Sequence, residues 1–536
     1  MTELPGVGKP LAELGLRMWT GFVDGGDAPD PTKGALRYFY WCADTLPSGN
    51  ASSTSSSPGE AHADRPLVFW FNGGPGASSL FGLLNEWGPL LVTTASFDTD
   101  EYVASGVATP TSNPHSWVNV ATVCAFDSPP PMGFSFCTAE GPSAGLTSCG
   151  PWSDSTVAAG AREAFGSFFS DAFPEWRNRR FYLAGESYAG MYVPLFAEQI
   201  MDNPIPDVTL NGWAVGDGWT GCQPEEGRPV DWCINLTNVG TFQYPNTNPG
   251  PYYDALMIGS HGQISQTLYR NIMANCSQGE LFGEVMPLGA QCQELIDEMA
   301  EQVGYFYVYN LINACVPGGS PFNANNSEPF ICANPEEDLP CRLGRRNAVR
   351  SASPGNRDGG VGSPCLANAI GEYLALNATL TAISVPLDAS FNNADNAQGF
   401  TYIIDRPFVG PIYSRGIEEG MKILIYEGDI DASGLSTVPL DDVWTPYFAQ
   451  AGIPLTQPWR PFKTNPGVQG AHRMAWADGN VSFISIRGSG HMVPLDRPVA
   501  SLETMRVFLL NVTADADVSD LLAAQSEQVF GVYVGV

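Results

Sequence analysis

Residues 180–194 read RFYLAGESYAGMYVP. An apolar run, FYLAG at 181–185, enters a turn of small residues, and VPLFAEQIM beyond it has the spacing of a helix. Ser187 at the apex of such a strand-to-helix turn is placed as a nucleophile, because only small neighbours avoid clashing there. Gly185 precedes it and Ala189-Gly190 follow, with Ala189 where the GxSxG pattern has its last glycine. Immediately before the serine stands Glu186. A carboxylate beside a forming oxyanion hinders the reaction, so this residue needs a task of its own.

The flanking sequence extends the strand and helix alternation in both directions. LRYFYWC (36–42), PLVFWFN (66–72) and WVNVATVCAF (117–126) read as strands, and the separator PSGNASSTSSSPGEAHA reads as a flexible surface loop. DSTVAAGAREAFGSFFSDAF (154–173) has helical spacing, with Asp154 as its expected cap. After LNGWAVGDGW (210–219) the pattern breaks, and it resumes at KILIYEGDID (422–431), SFISIRGSGH (482–491) and a helix around ASLETMRVFLL. Such alternation predicts an α/β fold with right-handed crossovers. The expected organisation is one core in two parts, 1–219 and 391–536, interrupted by an inserted Cys-rich cap at 220–390. Within the insert, RLGRRNAVRSASPGNR (342–357) reads as exposed and cleavable.

The chain has 536 residues, with 56 acidic against 25 basic and a formal charge of −31. That balance excludes a phosphate-tracking surface, so no nucleic-acid partner is expected, and it suits a protein working in an acidic place. Of twelve cysteines, eight (Cys222, Cys233, Cys276, Cys292, Cys315, Cys332, Cys341, Cys365) fall in the insert without a CxxC or HxxxH neighbour. Disulfides are therefore expected and no metal is. Asn-x-Ser/Thr sequons at Asn50, Asn235, Asn275, Asn325, Asn377, Asn480 and Asn511 agree with a secretory route. MTELPGVGKPLAELGLRMWTGF lacks a basic segment followed by an apolar one, and no run of 18 apolar residues follows. The reading is a protein without a membrane span, whose signal peptide is missing from this chain.

A serine nucleophile requires an imidazole to take its proton and a carboxylate to orient that imidazole, and α/β hydrolases supply them in the order Ser, acid, His. Of five histidines, only His491 stands in a glycine-flanked loop, GSGH, directly after a strand-like run. The preceding strand end, EGDIDASG, offers Asp429 and Asp431. FNGGPGASS (71–79) adds glycines that let main-chain N–H groups approach a ligand, as an oxyanion hole demands. It has neither GxGxxG nor GKS spacing, so phosphate binding is not expected.

Together, WFNGGPGASSLFGLLNEWGPL, GESYAGMYVP, GDID and GSGHMVPLDRP resemble the serine carboxypeptidase family of α/β hydrolases, in the right order and nearly end to end. The resemblance implies an α/β-hydrolase fold: a mixed, mostly parallel central sheet flanked by helices, with the inserted cap. It implies Ser187 as nucleophile, His491 as base, Asp431 as its orienter with Asp429 in support, and the N–H groups of Gly74 and Tyr188 as oxyanion hole. A site for the substrate carboxylate would comprise Asn72, Gly73, Glu86 and Glu186, with Trp70 at its edge. Two glutamates and a substrate carboxylate brought together cannot all stay ionised, so a proton must be shared, and a protonated glutamate donates to the substrate's C-terminus.

The implied activity is removal of C-terminal residues from peptides and proteins at acid pH, without a cofactor, in an acidic vacuole or lysosome or outside the cell. Three departures from the family pattern stand out: Ala77 where NGGPGCSS has a cysteine, Met191 where His or Lys is frequent, and PPPMGFSF (129–136) in a stretch lining the cleft. The first implies loss of the disulfide that ties this loop down. Two rivals keep the fold: an acyltransferase using the same acyl-enzyme, and a catalytically idle binding or protective protein. Oligomeric state stays open, a homodimer included.

Overall fold

The computed structural model describes residues 1–46, 65–221, 251–281, 285, 287–304, 306–312, 315–316, 331–332, 369–394, 399–433, 437–465 and 468–510. Its main sheet is built from β1 (Leu16–Asp27), β2 (Ala35–Thr45), β3 (Leu67–Phe71), β4 (Thr122–Phe126), β5 (Phe181–Glu186), β6 (Leu210–Gly216), β7 (Lys422–Gly428), β8 (Leu455–Asn465), β9 (Val468–Trp476) and β10 (Val481–Ile486). They lie in the order β1-β2-β4-β3-β5-β6-β7-β10-β9-β8, and a two-residue strand, Phe136–Cys137, joins β2. From β4 to β10 neighbouring strands are parallel, while β1-β2-β4 and β10-β9-β8 pair antiparallel. This is the mixed, mostly parallel α/β-hydrolase sheet.

Along β3, Leu67, Phe69 and Phe71 enter one core and Val68 and Trp70 the other. An unbroken apolar run is thus the mark of a strand covered on both faces. Helices α1 (Asp154–Ser167) and α2 (Ala189–Asp202) cover the first face, where the Phe69 ring lies 4.7 Å from Phe181 and 4.5 Å from Phe126. Burying each such side chain contributes about 1.5–3 kcal/mol. Between β6 and β7, α3 (Tyr252–Ser260), α4 (Gln266–Asn275) and α5 (Ala290–Val303) share a core through Ile258, Ile272 and Met299 that also takes in Ile430, and Cys276–Cys292 is disulfide-bonded. Helix α6 (Gly410–Glu418) adds Ile412 and Tyr413 to the first face, and α7 (Pro498–Leu510) covers the second with Met505 and Phe508.

Some local expectations change. Helix α1 is capped by Ser153, whose hydroxyl accepts the Thr156 N–H, and it stops at Ser167, with a π turn over Phe168–Ala172. Asp154 occupies the first helical position, and its carboxylate accepts the hydroxyls of Tyr188 at 2.7 Å and Tyr402 at 2.9 Å and the N–H groups of Asp405 and Arg406. Its negative charge is drawn into tertiary bonds that sequence spacing does not show. Strands β1 and β8 also escape a pattern search. The first contains Gly21, Gly25 and Gly26 and the second Pro458 and Pro461, residues tolerated because both strands are sheet edges. Disulfides Cys42–Cys124 and Cys137–Cys149 pair the four cysteines that precede residue 220. Sequon residues Asn275 and Asn377 are exposed. The Arg-rich segment 342–357, the Ser-rich separator, Cys222, Cys233, Cys341 and Cys365, and sequons Asn50, Asn235, Asn325 and Asn511 lie outside the described residues.

Candidate active site

The parallel strands end on one edge, and the loops leaving β3, β5, β6, β7 and β10 carry the candidate residues, where open α/β sheets bind ligands. Ser187 sits between β5 and α2 with φ of 62°, the left-handed conformation that an elbow requires. The strain is held by neighbours: its N–H donates to Gly216 O at 3.0 Å and its carbonyl accepts Gly190 N–H at 2.9 Å and Trp219 N–H at 2.8 Å. A Cβ on Gly190 would lie 2.3 Å from Trp219 O, so the small residue after the serine answers to a close backbone crossing. Similarly, a Cβ on Gly73 would lie 2.3 Å from Tyr188 N and 2.8 Å from Ser187 Cβ. The glycine loop therefore rests directly on the elbow, which puts Gly73-Gly74 and the start of α2 side by side. Gly74 has φ of 109°, open to glycine.

That loop is tethered through Asp127, which accepts Ser78 Oγ at 2.6 Å, Ser79 N–H at 3.0 Å and Phe134 N–H at 3.1 Å. Ser78 N–H also reaches Asn393 Oδ1 at 2.9 Å. Where Ala77 replaces cysteine, buried hydrogen bonds hold the turn. Burial pushes the Asp127 carboxyl up to about 7, against the pull of these donors.

His491 Nδ1 lies 2.7 Å from Asp431 Oδ2, and both residues are buried. Asp431 also accepts Ser433 Oγ at 2.8 Å and Ser433 N–H at 2.9 Å, so its lone pairs are aimed. The imidazole stacks on Tyr309 with centroids 4.6 Å apart, and its main-chain N–H donates to Tyr309 O at 2.7 Å. Asp429 accepts the Gly488 N–H, and Asp496 accepts Gly490 N–H at 2.7 Å and Asn310 Nδ2 at 2.8 Å. Two carboxylates thus pin the loop that delivers His491. Tyr309 and Asn310 carried no sequence signal, since each acts through a contact distant along the chain, whereas Ser433 and Asp496 lie within EGDIDASG and GSGHMVPLDRP without their roles being marked there.

Glu86, at the end of a π turn (Gly82–Glu86), and Glu186, at the end of β5, meet at Asn72. Asn72 Nδ2 donates to Glu186 Oε1 at 2.9 Å and Glu86 Oε1 at 3.3 Å. Its Oδ1 accepts Trp70 Nε1 at 2.8 Å and Gly82 N–H at 3.0 Å, which fixes the amide's orientation. Trp70 is fully buried and stands behind Asn72 rather than at an open edge. Glu86 Oε2 and Glu186 Oε2 have no donor among the described residues. Burial pushes Glu86 up to about 7, and burial together with the neighbouring Glu86 holds Glu186 well above the ordinary carboxyl range. Both glutamates feel the triad candidates, Glu86 through His491 and Glu186 through Asp431. The residues anticipated on four separate stretches therefore share one electrostatic neighbourhood.

The chain resembles known proteins over nearly its whole length. A sequence model of the serine carboxypeptidase family matches residues 5–511. Serine carboxypeptidase-like 33 of Arabidopsis thaliana is 28% identical over 88% of this chain and 84% of its own length. The lysosomal protective protein of Mus musculus is 25% identical over 94% of this chain and 92% of its own. Among solved structures, a prohormone-processing carboxypeptidase from Saccharomyces cerevisiae superposes with a TM-score of 0.60 at 19% identity, over 96% of this chain and 95% of that one, a likeness of fold. With nearly the whole chain matched, the protein belongs to the serine carboxypeptidase family of α/β hydrolases.

Proposed function

We propose that the protein hydrolyses the C-terminal peptide bond of peptides and proteins at acid pH through an acyl-enzyme on Ser187. The observation that carries this reading is the buried Asn72–Glu86–Glu186 constellation beside the nucleophile. Two carboxyl oxygens without a donor require a shared proton, and a substrate carboxylate entering the site turns that proton into a donor toward it. Both Asn72 Nδ2 hydrogens go to Glu86 and Glu186, so the amide holds the two carboxyls in position for that contact. A free C-terminus is the group this receptor fits, which makes the enzyme an exopeptidase.

In the proposed reaction Ser187 Oγ attacks the last peptide carbonyl and His491 takes its proton. Asp431, hydrogen-bonded to Nδ1, holds the tautomer and balances the imidazolium. The N–H groups of Gly74 and Tyr188 receive the oxyanion. His491 returns the proton to the leaving amine, and water then repeats the sequence to release the shortened peptide. Above about pH 7 Glu86 ionises, and the clamp repels the carboxylate it grips at acid pH. Working in an acidic compartment of the secretory pathway, or outside the cell, accords with this dependence, with the disulfides and with the exposed sequons. Residues 220–390 are assigned as an inserted cap whose helical core reaches Ile430, next to Asp431.

The test is cleavage of paired peptides with free and amidated C-termini between pH 5 and 8. Turnover of the free form alone supports the clamp, and equal cleavage of both removes it. Transfer of an acyl group from an activated ester to a small alcohol, with no peptide turnover, would favour acyl transfer instead. No Ser187-dependent fluorophosphonate labelling at pH 5 would favour the idle protein.

A further inference from the structure

Behind the triad lies a pair of carboxyls that the mechanism above does not use. Asp217 follows β6 with φ of 42°, its N–H donates to Tyr426 O at 2.9 Å, and its Oδ1 accepts Gly428 N–H at 2.8 Å. It thereby ties β6 to the turn that bears Asp431. Glu427, on β7, brings its carboxyl within hydrogen-bonding reach of Asp217. Both side chains are fully buried. Asp217 Oδ2 and both carboxyl oxygens of Glu427 accept no well-formed hydrogen bond among the described residues, and the one N–H near Glu427, that of Asp217, is directed at Tyr426 O. A carboxyl oxygen of Asp217, one of Asp431 and a ring nitrogen of His491 all lie within 4.8 Å of one another.

Two ionised carboxylates at this place would be poorly donated, out of water and beside the charge of Asp431, an arrangement that desolvation strongly disfavours. A proton between them provides a hydrogen bond and removes a charge. The titratable groups that act on the pair among the described residues are Glu186 from β5, Tyr413 from α6, Tyr426 from β7, and Asp431 and His491 from the loops. Only His491 among them can carry positive charge. Burial first, and then Glu427 for Asp217 and Asp431 for Glu427, hold both carboxyls well above the ordinary range.

We propose that Asp217 and Glu427 form a second proton-sharing carboxyl pair that positions the triad acid. Asp217 sets the Gly428 amide and hence the turn that aims Asp431 at His491 Nδ1. The shared proton limits the negative charge facing the imidazole, so the imidazolium formed in the reaction meets Asp431 as its principal counter-charge. Asp217 and Glu427 are positioning residues, and the role assigned to them rests on the proposed triad.

The experiment compares Asp217→Asn, Asp217→Ala, Glu427→Gln and the Asn/Gln double variant with the wild type. One readout is the rate of fluorophosphonate labelling at pH 5, and the other is Tm from pH 4.5 to 7.5. An asparagine accepts from Gly428 and offers its NH₂ toward Glu427, as a protonated aspartate does. Asp217→Asn is therefore expected to retain most of the labelling rate, whereas Asp217→Ala, which frees the Asp431 turn, loses about a hundredfold. A carboxyl held protonated in the fold but ionised when unfolded makes stability fall as pH rises above the unfolded value. Hence Tm should fall less with pH in the double variant than in the wild type, and Glu427→Gln alone should show part of that change. Parallel Tm curves would overturn the shared proton, and equal labelling of Asp217→Ala and wild type would overturn the positioning role. If the wild type itself does not label, the hydrolase reading fails, while the Tm comparison still decides whether the pair shares a proton.

Discussion

Replacing both Glu86 and Glu186 by glutamine removes the titration of the proposed clamp while leaving amide donors in its place. In the wild type Glu86 is pushed from an ordinary 4.5 to about 7, chiefly by burial. A rise of that size corresponds to about 3 kcal/mol favouring the neutral form in the fold. If binding requires the neutral form, KM is flat at acid pH, begins to climb near pH 7 and then increases about tenfold per pH unit. In the double variant nothing in the clamp ionises, so KM on an N-blocked dipeptide should stay level from pH 5 to 8. The assay is steady-state kinetics across that range with kcat and KM resolved separately, because loss of the clamp weakens substrate binding and so raises KM, whereas damage to the triad lowers kcat. Stability carries the same sign: Glu86 binds its proton more tightly folded than unfolded, so wild-type Tm declines as pH rises from about 4.5 towards 7, and the variant loses that part of the decline. A KM in the double variant that climbs as steeply as in the wild type would refute the reasoning.

Ser187→Ala should abolish fluorophosphonate labelling. Asp431→Asn, which leaves the His491 contact but selects the wrong tautomer, should lower kcat by about 10⁴-fold with little change in KM; retention of kcat would exclude Asp431 as orienter. Gly73→Ala places a Cβ 2.3 Å from Tyr188 N, so it should cost about 1–3 kcal/mol of stability and most of the turnover as the elbow is pushed aside. Wild-type kinetics in that variant would mean that the glycine loop does not abut the oxyanion site. Asp127→Ala strands the donors of Ser78, Ser79 and Phe134, and urea titration should show a loss of about 1–3 kcal/mol, with Asp127→Asn milder.

Much of the molecule is written in local sequence. β3, β5 and β7 contain the unbroken apolar runs LVFWF, FYLAG and ILIY because both faces of each are covered, and strands of that kind need no partner to be recognised. Small residues around Ser187 and the glycines of 71–79 reflect steric demands of one turn each, and the structure gives the clash distances behind Gly73 and Gly190. The order of serine, acid and histidine along the chain narrowed the candidates further, since only one of five histidines follows a strand into a glycine loop.

Other features depend on contacts between residues far apart in the chain, and there local pattern has nothing to report. Edge strands β1 and β8 are exposed along part of their length, so glycine and proline are tolerated and the apolar signal fades. Asp154 has the local sequence of a helix cap, yet Ser153 caps the helix and Asp154 serves the hydroxyls of Tyr188 and Tyr402. That Glu86 and Glu186 are neighbours was an inference from resemblance, whereas their undonated oxygens and the single asparagine between them belong to the packed site. The pairing of Asp217 with Glu427 was invisible altogether. Glu427 opens EGDIDASG and Asp217 stands in LNGWAVGDGW, yet nothing in either stretch marks the two as partners, and what makes them chemically unusual is the removal of water from both at once. The sequence by itself determined which side chains can do chemistry and in what order the chain delivers them. Only the tertiary structure decided which of them lose their water, and burial of a charge is what sets where the protons go.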